Sequence, residues 1–131
     1  MPPLDGLLET ALYVDDPALS ARFYREVFGF EEMVANDRLH ALVIPDRLVL
    51  LLFRKGASAS LPVPHDGTGQ SHVAFAIPKA ALEDWKAWLA RHQLPILETR
   101  VWPRGGTSLY FRDPDGHLLE VATPGVWPRV Y

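Results

Sequence analysis

The stretch Ser-Leu-Tyr-Phe-Arg-Asp-Pro-Asp-Gly-His-Leu-Leu-Glu-Val, residues 108–121, decides the fold of this chain of 131 residues. Its centre, Asp113–Gly116, combines a proline with the aspartate and glycine residues that favour tight turns. Apolar, strand-like runs lie on both sides, and we predict strands over Thr107–Arg112 and Leu118–Ala122. The stretch therefore predicts two consecutive strands joined by a turn.

The sequence before this stretch completes one module. Ser71–Ile77 alternates apolar residues in the manner of a strand. A helix is predicted to begin at Pro78 and to end before Pro95, and another strand is predicted near Ile96–Val101. The order of elements in this half of the chain is β-α-β-β-β.

The first half of the chain repeats that order. A strand is predicted over Leu7–Val14, followed by a helix that begins at Asp16-Pro17 and is capped by Gly29. Leu19, Phe23 and Val27 are spaced four apart, which predicts one buried stripe on this helix. Strand-like runs then follow at residues 30–35, 39–44 and 48–53.

We predict an α+β fold made of two βαβββ modules that together form an eight-stranded, open barrel-like cleft. One helix covers only one face of a four-stranded sheet, so the other face must curve around a cavity or meet a second sheet. The predicted organisation is a single domain over residues 1–131. Module 1 spans about 7–53, a linker 54–69, module 2 about 70–123 and a C-terminal tail 124–131.

Composition narrows the possible functions. Apolar residues make up 48% and charged residues 22% of the chain, as in ordinary globular proteins, and its 131 residues suit one domain. The chain has no cysteine, which excludes disulfides, thiolate catalysis and iron–sulfur clusters. The net charge of −3 argues against nucleic acid as a partner, and no apolar run is long enough to cross a membrane. With no signal-peptide pattern at the N-terminus, we expect a cytoplasmic protein.

Three ionisable residues are predicted to face the cleft from within, or at the start of, apolar strands: Glu9, His72 and Glu120. Burying a charged carboxylate without a partner costs roughly several kcal/mol of folding free energy, unless the group stays protonated. A divalent cation would resolve the repulsion between two carboxylates and use histidine as a neutral nitrogen donor. Alternatively, each of the three has a structural role, with Glu9 in solvent, His72 hydrogen-bonded within its strand and Glu120 paired with Arg54.

Strand alternation also supplies candidates for substrate binding. We predict that the cleft-facing set includes Tyr13, Leu50 and Tyr110, with Arg54 at the end of its strand able to clamp an anionic group. Trp102 lies in a loop, followed by two glycines, that could close over the cleft. The alternatives are packing for the aromatic residues and a surface charge for Arg54.

The chain resembles the vicinal oxygen chelate superfamily, which includes glyoxalases, bleomycin- and fosfomycin-resistance proteins and extradiol dioxygenases. The resemblance rests on Glu9–Phe30, Ser71–Ile77 and Ser108–Val121, and it covers nearly the whole chain. It implies paired βαβββ modules, a homodimer, and metal ligands at Glu9, His72 and Glu120, with Glu120 also able to serve as a general base. The first ligand is commonly histidine in the family, and a fourth ligand of the glyoxalase I type falls on Leu50 or Leu51 in this sequence.

Two functional hypotheses follow. The first is a divalent-metal-dependent enzyme of lyase, isomerase or dioxygenase type that acts on a small molecule with neighbouring oxygens. Its metal would be Zn, Ni, Mn, Fe(II) or Mg. The alternative is a metal-free protein that binds a drug or metabolite, as bleomycin-resistance proteins do. The convergence of three ligand residues favours the enzyme.

Overall fold

The computed structural model describes residues 1–45 and 47–131. The chain divides into two compact units, Met1–Gly69 and Gln70–Tyr131. The predicted linker 54–69 thus belongs to the first unit and the predicted tail 124–131 to the second. Among the described residues, no helix is long and apolar enough to cross a membrane.

The first unit is a four-stranded mixed sheet with one helix. Its strand order is β1-β4-β3-β2, in which β1 and β4 are parallel and the remaining pairs are antiparallel. Its elements are β1 (Glu9–Val14), α1 (Pro17–Phe28), β2 (Glu31–Ala35), β3 (Leu39–Ile44) and β4 (Leu48–Arg54).

The second unit has the same topology, with strand order β5-β8-β7-β6 and β5 parallel to β8. A 3-10 turn, Lys79–Ala81, leads into its helix. Its elements are β5 (His72–Ala76), α2 (Leu82–Arg91), β6 (Glu98–Val101), β7 (Thr107–Arg112) and β8 (Leu118–Ala122). The predicted α+β fold and its two βαβββ modules are confirmed. The joining of the two sheets into one cleft stays a prediction.

The ends of α1 are those the sequence predicts. The Asp16 carboxylate accepts hydrogen bonds from the backbone N–H groups of Ala18 and Leu19, and Gly29 ends the helix in the left-handed conformation. The predicted buried stripe is only partly correct, because Val27 is buried but Leu19 is 42% exposed. The largest fully buried side chain of the helix is Tyr24, whose ring stacks on Phe28 and Phe30. The helix offers two apolar stripes only about 100° apart, and spacing alone does not say which one meets the sheet.

The predicted face of β4 is also wrong. Leu50 is paired with Thr10 and Leu52 with Leu12, so these leucines lie on the buried face that contains Leu12. Arg54, paired with Val14, starts from that same face. Leu50 and Arg54 therefore do not share the face of Glu9 and Tyr13. Because β4 is apolar on both faces up to its last residue, Arg54, its interior carries no polar residue that would mark the register.

The second unit matches its predicted alternation. Glu120 on β8 lies between Ala74 on β5 and Tyr110 on β7, and the three side chains share one face. The opposite face is apolar at its centre, where Leu109, Phe111, Leu119 and Val121 are fully buried. The sheet thus presents its ionisable residues on a single face.

Candidate active site

Glu120 lies at the centre of the second sheet. It occupies the middle of β8, which has a strand on each side, and only 5% of the residue is exposed. A carboxylate in such a place needs a hydrogen-bond partner or a cation to offset the loss of water. The sequence signal that identified it, one charge in an apolar strand, corresponds to a buried charge in the structure.

His72 faces this carboxylate. It begins β5, two residues before the strand partner of Glu120, and its Nε2 lies 3.2 Å from Glu120 Oε2. Its Nδ1 lies 2.9 Å from the carbonyl oxygen of Leu118, an acceptor, so Nδ1 carries the proton. In the neutral ring the lone pair is then on Nε2, which points at the carboxylate. Two electron-rich groups at this distance need a proton or a metal ion between or beside them, so the pair suits a divalent cation.

The turn at Asp113–Gly116, between β7 and β8, holds His72 in place. Asp113 accepts hydrogen bonds from the backbone N–H groups of Asp115 and His117, which fixes the loop between β7 and β8. The buried ring of His117 accepts, through Nδ1, the backbone N–H of Ser71 at 2.9 Å. The residue before His72 is therefore tied to the start of β8, and the strands that carry His72 and Glu120 are fixed against each other.

Tyr110 adds a hydroxyl group to the same face. It lies opposite Glu120 in the antiparallel pair β7–β8, and its ring stacks near that of His72 with 6.3 Å between centroids. Burial raises the pKa of the Tyr110 phenol, and the negative charge of Glu120 raises it further. The phenol is thus held protonated at neutral pH, where it can donate a hydrogen bond.

These residues line a cavity of about 480 Å³ within the second unit. Of the predicted site residues, the structure brings together His72, Glu120, Tyr110 and Trp102 around it. Trp102 is held by a hydrogen bond from its indole N–H to Ser108 Oγ at 2.8 Å. Segment 124–131 also lines the cavity, through Val126, Trp127 and Tyr131. This contribution was not predicted from the sequence, although two aromatic residues after the last strand, Trp127 and Tyr131, were a possible signal.

The remaining predicted site residues lie in the first unit. Glu9 begins β1 and is exposed, and its convergence with His72 and Glu120 stays a prediction. The hydroxyl of Tyr13 is hydrogen-bonded to His65 Nδ1 at 2.7 Å, and its ring stacks on Phe53. Arg54 binds the backbone carbonyls of Asp37 and Asp15, which occupies its guanidinium within this unit.

The register shows how the two modules differ. In the first module Ala11 is paired with Leu51, and in the second the corresponding Ala74 is paired with Glu120. Glu9 and His72 each lie two residues before those alanines. The first module thus keeps a potential ligand at the start of its first strand but has leucine in place of the buried carboxylate.

The chemistry of the donor set fits a divalent metal. His72 and Glu120 supply one nitrogen and a carboxylate, which suits Mn, Fe(II), Ni and Zn. Among residues 1–45 and 47–131 no group of three or more histidine, aspartate or glutamate side chains forms a ready metal site. The third ligand, predicted at Glu9, would therefore be added to the two ligands that His72 and Glu120 supply.

A family model, curated relatives and solved structures all point to one family. Residues 6–121 match the Glyoxalase/Bleomycin resistance protein/Dioxygenase superfamily. A metallothiol transferase, FosB, of Staphylococcus saprophyticus is 30% identical over 118 residues, covering 89% of this chain and 76% of FosB. The crystal structure of a lactoylglutathione lyase from Agrobacterium tumefaciens is similar with a TM-score of 0.88 and 34% identity, over 96% of this chain and 98% of the other.

A fosfomycin resistance protein, FosX, from Mesorhizobium loti has the same fold, with a TM-score of 0.68 and 26% identity over 92% of this chain and 93% of its own. The family match extends from before β1 into β8 and so includes both modules. The resemblance stated from the sequence motifs is confirmed. The chain belongs to the glyoxalase/bleomycin resistance protein/dioxygenase superfamily, also called the vicinal oxygen chelate superfamily.

Proposed function

We propose that this protein is a divalent-metal-dependent enzyme that acts on a small molecule bearing two neighbouring oxygens, in a reaction of the lyase or thiol-transfer type. The observation that carries the proposal is the Nε2 of His72, 3.2 Å from the buried Glu120 carboxylate, while Nδ1 is occupied by the Leu118 carbonyl. The names of the relatives, a metallothiol transferase and a lactoylglutathione lyase, support these two reaction types.

Glu9 completes the proposed ligand set with a second carboxylate. Two carboxylates and one imidazole leave coordination positions open for a substrate. A bound metal would act as a Lewis acid toward the oxygens of the substrate. The Glu120 carboxylate, buried beside the reacting region, is the proposed general base, and it would take a proton on a carboxylate oxygen that is not bound to the metal.

Tyr110 is the proposed hydrogen-bond donor to the substrate. Its phenol is protonated at neutral pH and lies opposite Glu120, so it can donate to a substrate oxygen on the same face of the sheet. Trp102 would form the wall of the site next to Tyr110. Its indole N–H already donates to Ser108, so only its apolar ring would face the substrate. These roles divide the cavity into a proton-transferring part and an apolar part.

Metal analysis is the primary test. The purified protein is analysed for bound metals, stripped with a chelator and titrated with Mn²⁺, Zn²⁺, Ni²⁺ and Mg²⁺. We expect one ion per chain. Glu120→Gln should lower the affinity for the metal ion at least about tenfold, because it removes a ligand charge. Glu98→Gln is the matched control, since Glu98 lies on β6 of the same sheet and pairs with exposed Arg100.

Two activity assays distinguish the reaction types. One follows loss of a free thiol in the presence of fosfomycin, and the other follows formation of S-lactoylglutathione from glutathione and methylglyoxal. Turnover that requires added metal and is lost in Glu120→Gln supports the enzyme. If the protein binds no metal and Glu120→Gln changes nothing, the metal-free drug- or metabolite-binding protein becomes the better description.

We propose in addition that the active form is a cytoplasmic homodimer with no nucleic-acid partner. The family resemblance supports the homodimer, and the net charge of −3 supports the lack of nucleic-acid binding. Light scattering on the eluting protein gives the mass of the assembly against a chain mass of 14.7 kDa. A monomer at micromolar concentration would remove this part of the proposal.

A further inference from the structure

Segment 124–131 is built against the cavity of the second unit. The hydroxyl of Tyr131 donates to the carbonyl oxygen of Ile77, the residue after β5, at 2.9 Å and to that of Ala122, the last residue of β8, at 3.0 Å. The carbonyl of Tyr131 accepts in turn from the backbone N–H groups of Gly125 and Trp127. The segment therefore closes on itself and is anchored to the two strands that carry His72 and Glu120.

A second set of contacts ties this segment to the loop that carries Trp102. The guanidinium of Arg104 donates to the carbonyl of Pro128 at 2.7 Å. Gly125 has a φ of 103°, and a Cβ added there would lie 2.6 Å from the backbone nitrogen of Gly106. Glycine is therefore required where the two backbones touch. The loop and the segment form one continuous wall.

This wall is apolar where it meets the cavity, whereas the sheet face is polar. Val126 and Trp127 line the cavity together with Trp102, and the indole N–H of Trp102 is turned to Ser108. His72, Glu120 and Tyr110 supply the polar groups. Trp127 is 64% exposed, so its ring offers apolar area that a ligand can cover.

We propose that segment 124–131 determines substrate specificity, and that the cavity takes a molecule with an oxygen-bearing head at His72 and Glu120 and a flat apolar body at Trp102 and Trp127. The inference deepens the proposed function and rests on it for the position of the head. The apolar wall supports the flat body independently of the metal. A site of this kind, with a few polar groups in an otherwise apolar pocket, is typical of small-molecule binding.

The test uses two probes with the same head and different bodies. Mandelate and lactate are both α-hydroxycarboxylates, but mandelate carries a phenyl ring where lactate carries a methyl group. Calorimetric titration of the Mn²⁺-loaded protein is expected to show about tenfold tighter binding of mandelate, since burial of the ring adds apolar area. Trp127→Ala is expected to reduce this preference to less than about threefold while leaving Mn²⁺ affinity unchanged.

Two further variants separate the wall from general effects. Trp88→Ala removes a tryptophan from α2 outside the cavity and should keep the preference. Tyr131→Phe keeps the ring but removes the two anchoring hydrogen bonds, and it should weaken mandelate more than lactate. Circular dichroism checks that each variant is folded.

The outcomes separate this inference from the proposed function. Metal binding without any preference for mandelate, or a preference unchanged in Trp127→Ala, overturns the inference and leaves the metal site standing. If no metal binds, the titrations are repeated after chelation. A mandelate preference that Trp127→Ala abolishes then still supports the wall, although the metal-dependent function has failed, whereas no preference overturns both.

Discussion

Glu120 Oε2 lies 3.2 Å from His72 Nε2, although the strand partner of Glu120 is Ala74 and not His72. The contact is diagonal across two parallel strands. Such a diagonal is spanned only by long side chains, here those of histidine and glutamate. The small Ala74 shares their face and lines the cavity, so it leaves space into which a ligand or an ion can enter.

Replacing His72 by alanine should separate metal binding from folding. The side chain of His72 is 48% exposed but donates a hydrogen bond to the Leu118 carbonyl, so its loss should lower the free energy of unfolding by about 0.5–1.5 kcal/mol. It removes the nitrogen donor, and Mn²⁺ affinity should fall at least about tenfold. Titration calorimetry and urea unfolding measure the two quantities. His92→Ala, at the end of α2, is the matched control and should alter neither affinity nor the metal content.

Glu9→Gln tests the ligand that lies in the other unit. If Glu9 is the third ligand, the substitution should also lower Mn²⁺ affinity at least about tenfold, although Glu9 is exposed and contributes little to folding. Glu31→Gln, an equally exposed position at the start of β2, is the control. An affinity equal to that of the unmodified protein would remove Glu9 from the ligand set and leave the pair His72 and Glu120.

The same variants show whether the ligands come from one chain or two. Glu9→Gln and Glu120→Gln each damage one ligand, so homodimers of either variant have no intact site. If each site combines both chains, mixed dimers regain one undamaged site, and metal binding should return in part after the two proteins are mixed and exchanged. If each site belongs to one chain, mixing restores nothing. Light scattering must first show that the protein is a dimer.

How much of this could be predicted depended on where the sequence carries polar markers. β5 and β8 each contain one ionisable residue among apolar ones, and β7 has polar residues at alternate positions, so their faces and the neighbourhood of His72, Tyr110 and Glu120 followed from alternation. β4 is apolar on both faces, so the faces of Leu50 and Arg54 were assigned the wrong way round. A one-residue error exchanges the faces, and only the pairing with β1 fixes it.

Contacts made by irregular segments could not be predicted in the same way. Tyr131 donates to the carbonyls of Ile77 and Ala122, and it lies in a segment after β8 that has no helix or strand periodicity. His65 likewise reaches Tyr13 across 52 residues of sequence. The sequence indicated that aromatic and turn-forming residues occur there, but their partners depend on tertiary packing, which periodicity does not encode.

The anchor at Tyr131 should weaken in alkali. Burial raises the pKa of this phenol, so its contribution to stability is present below pH 10, the ordinary value, and is lost as the pH rises through the pKa in the folded state. Tyr131→Phe should cost about 1 kcal/mol near neutral pH, where the hydroxyl donates to two carbonyls. Urea unfolding of both proteins at pH 8 and above pH 10 should show the difference shrinking. A difference independent of pH would contradict this account.

Alanine at Gly67 should destabilise the protein when Tyr13 is present and stabilise it when Tyr13 is replaced by alanine. A Cβ added at Gly67 would lie 2.5 Å from Tyr13 Cδ2, and that ring is held by His65 and Phe53. Gly67→Ala should therefore destabilise the protein by about 1 kcal/mol, since the ring must shift. In a Tyr13→Ala background the clash is absent and no left-handed φ opposes alanine, so the same change should stabilise by about 0.4–1 kcal/mol through the unfolded state. Urea unfolding of the four proteins in this double-mutant cycle measures the coupling, and equal effects in both backgrounds would show that segment 65–67 does not pack on Tyr13.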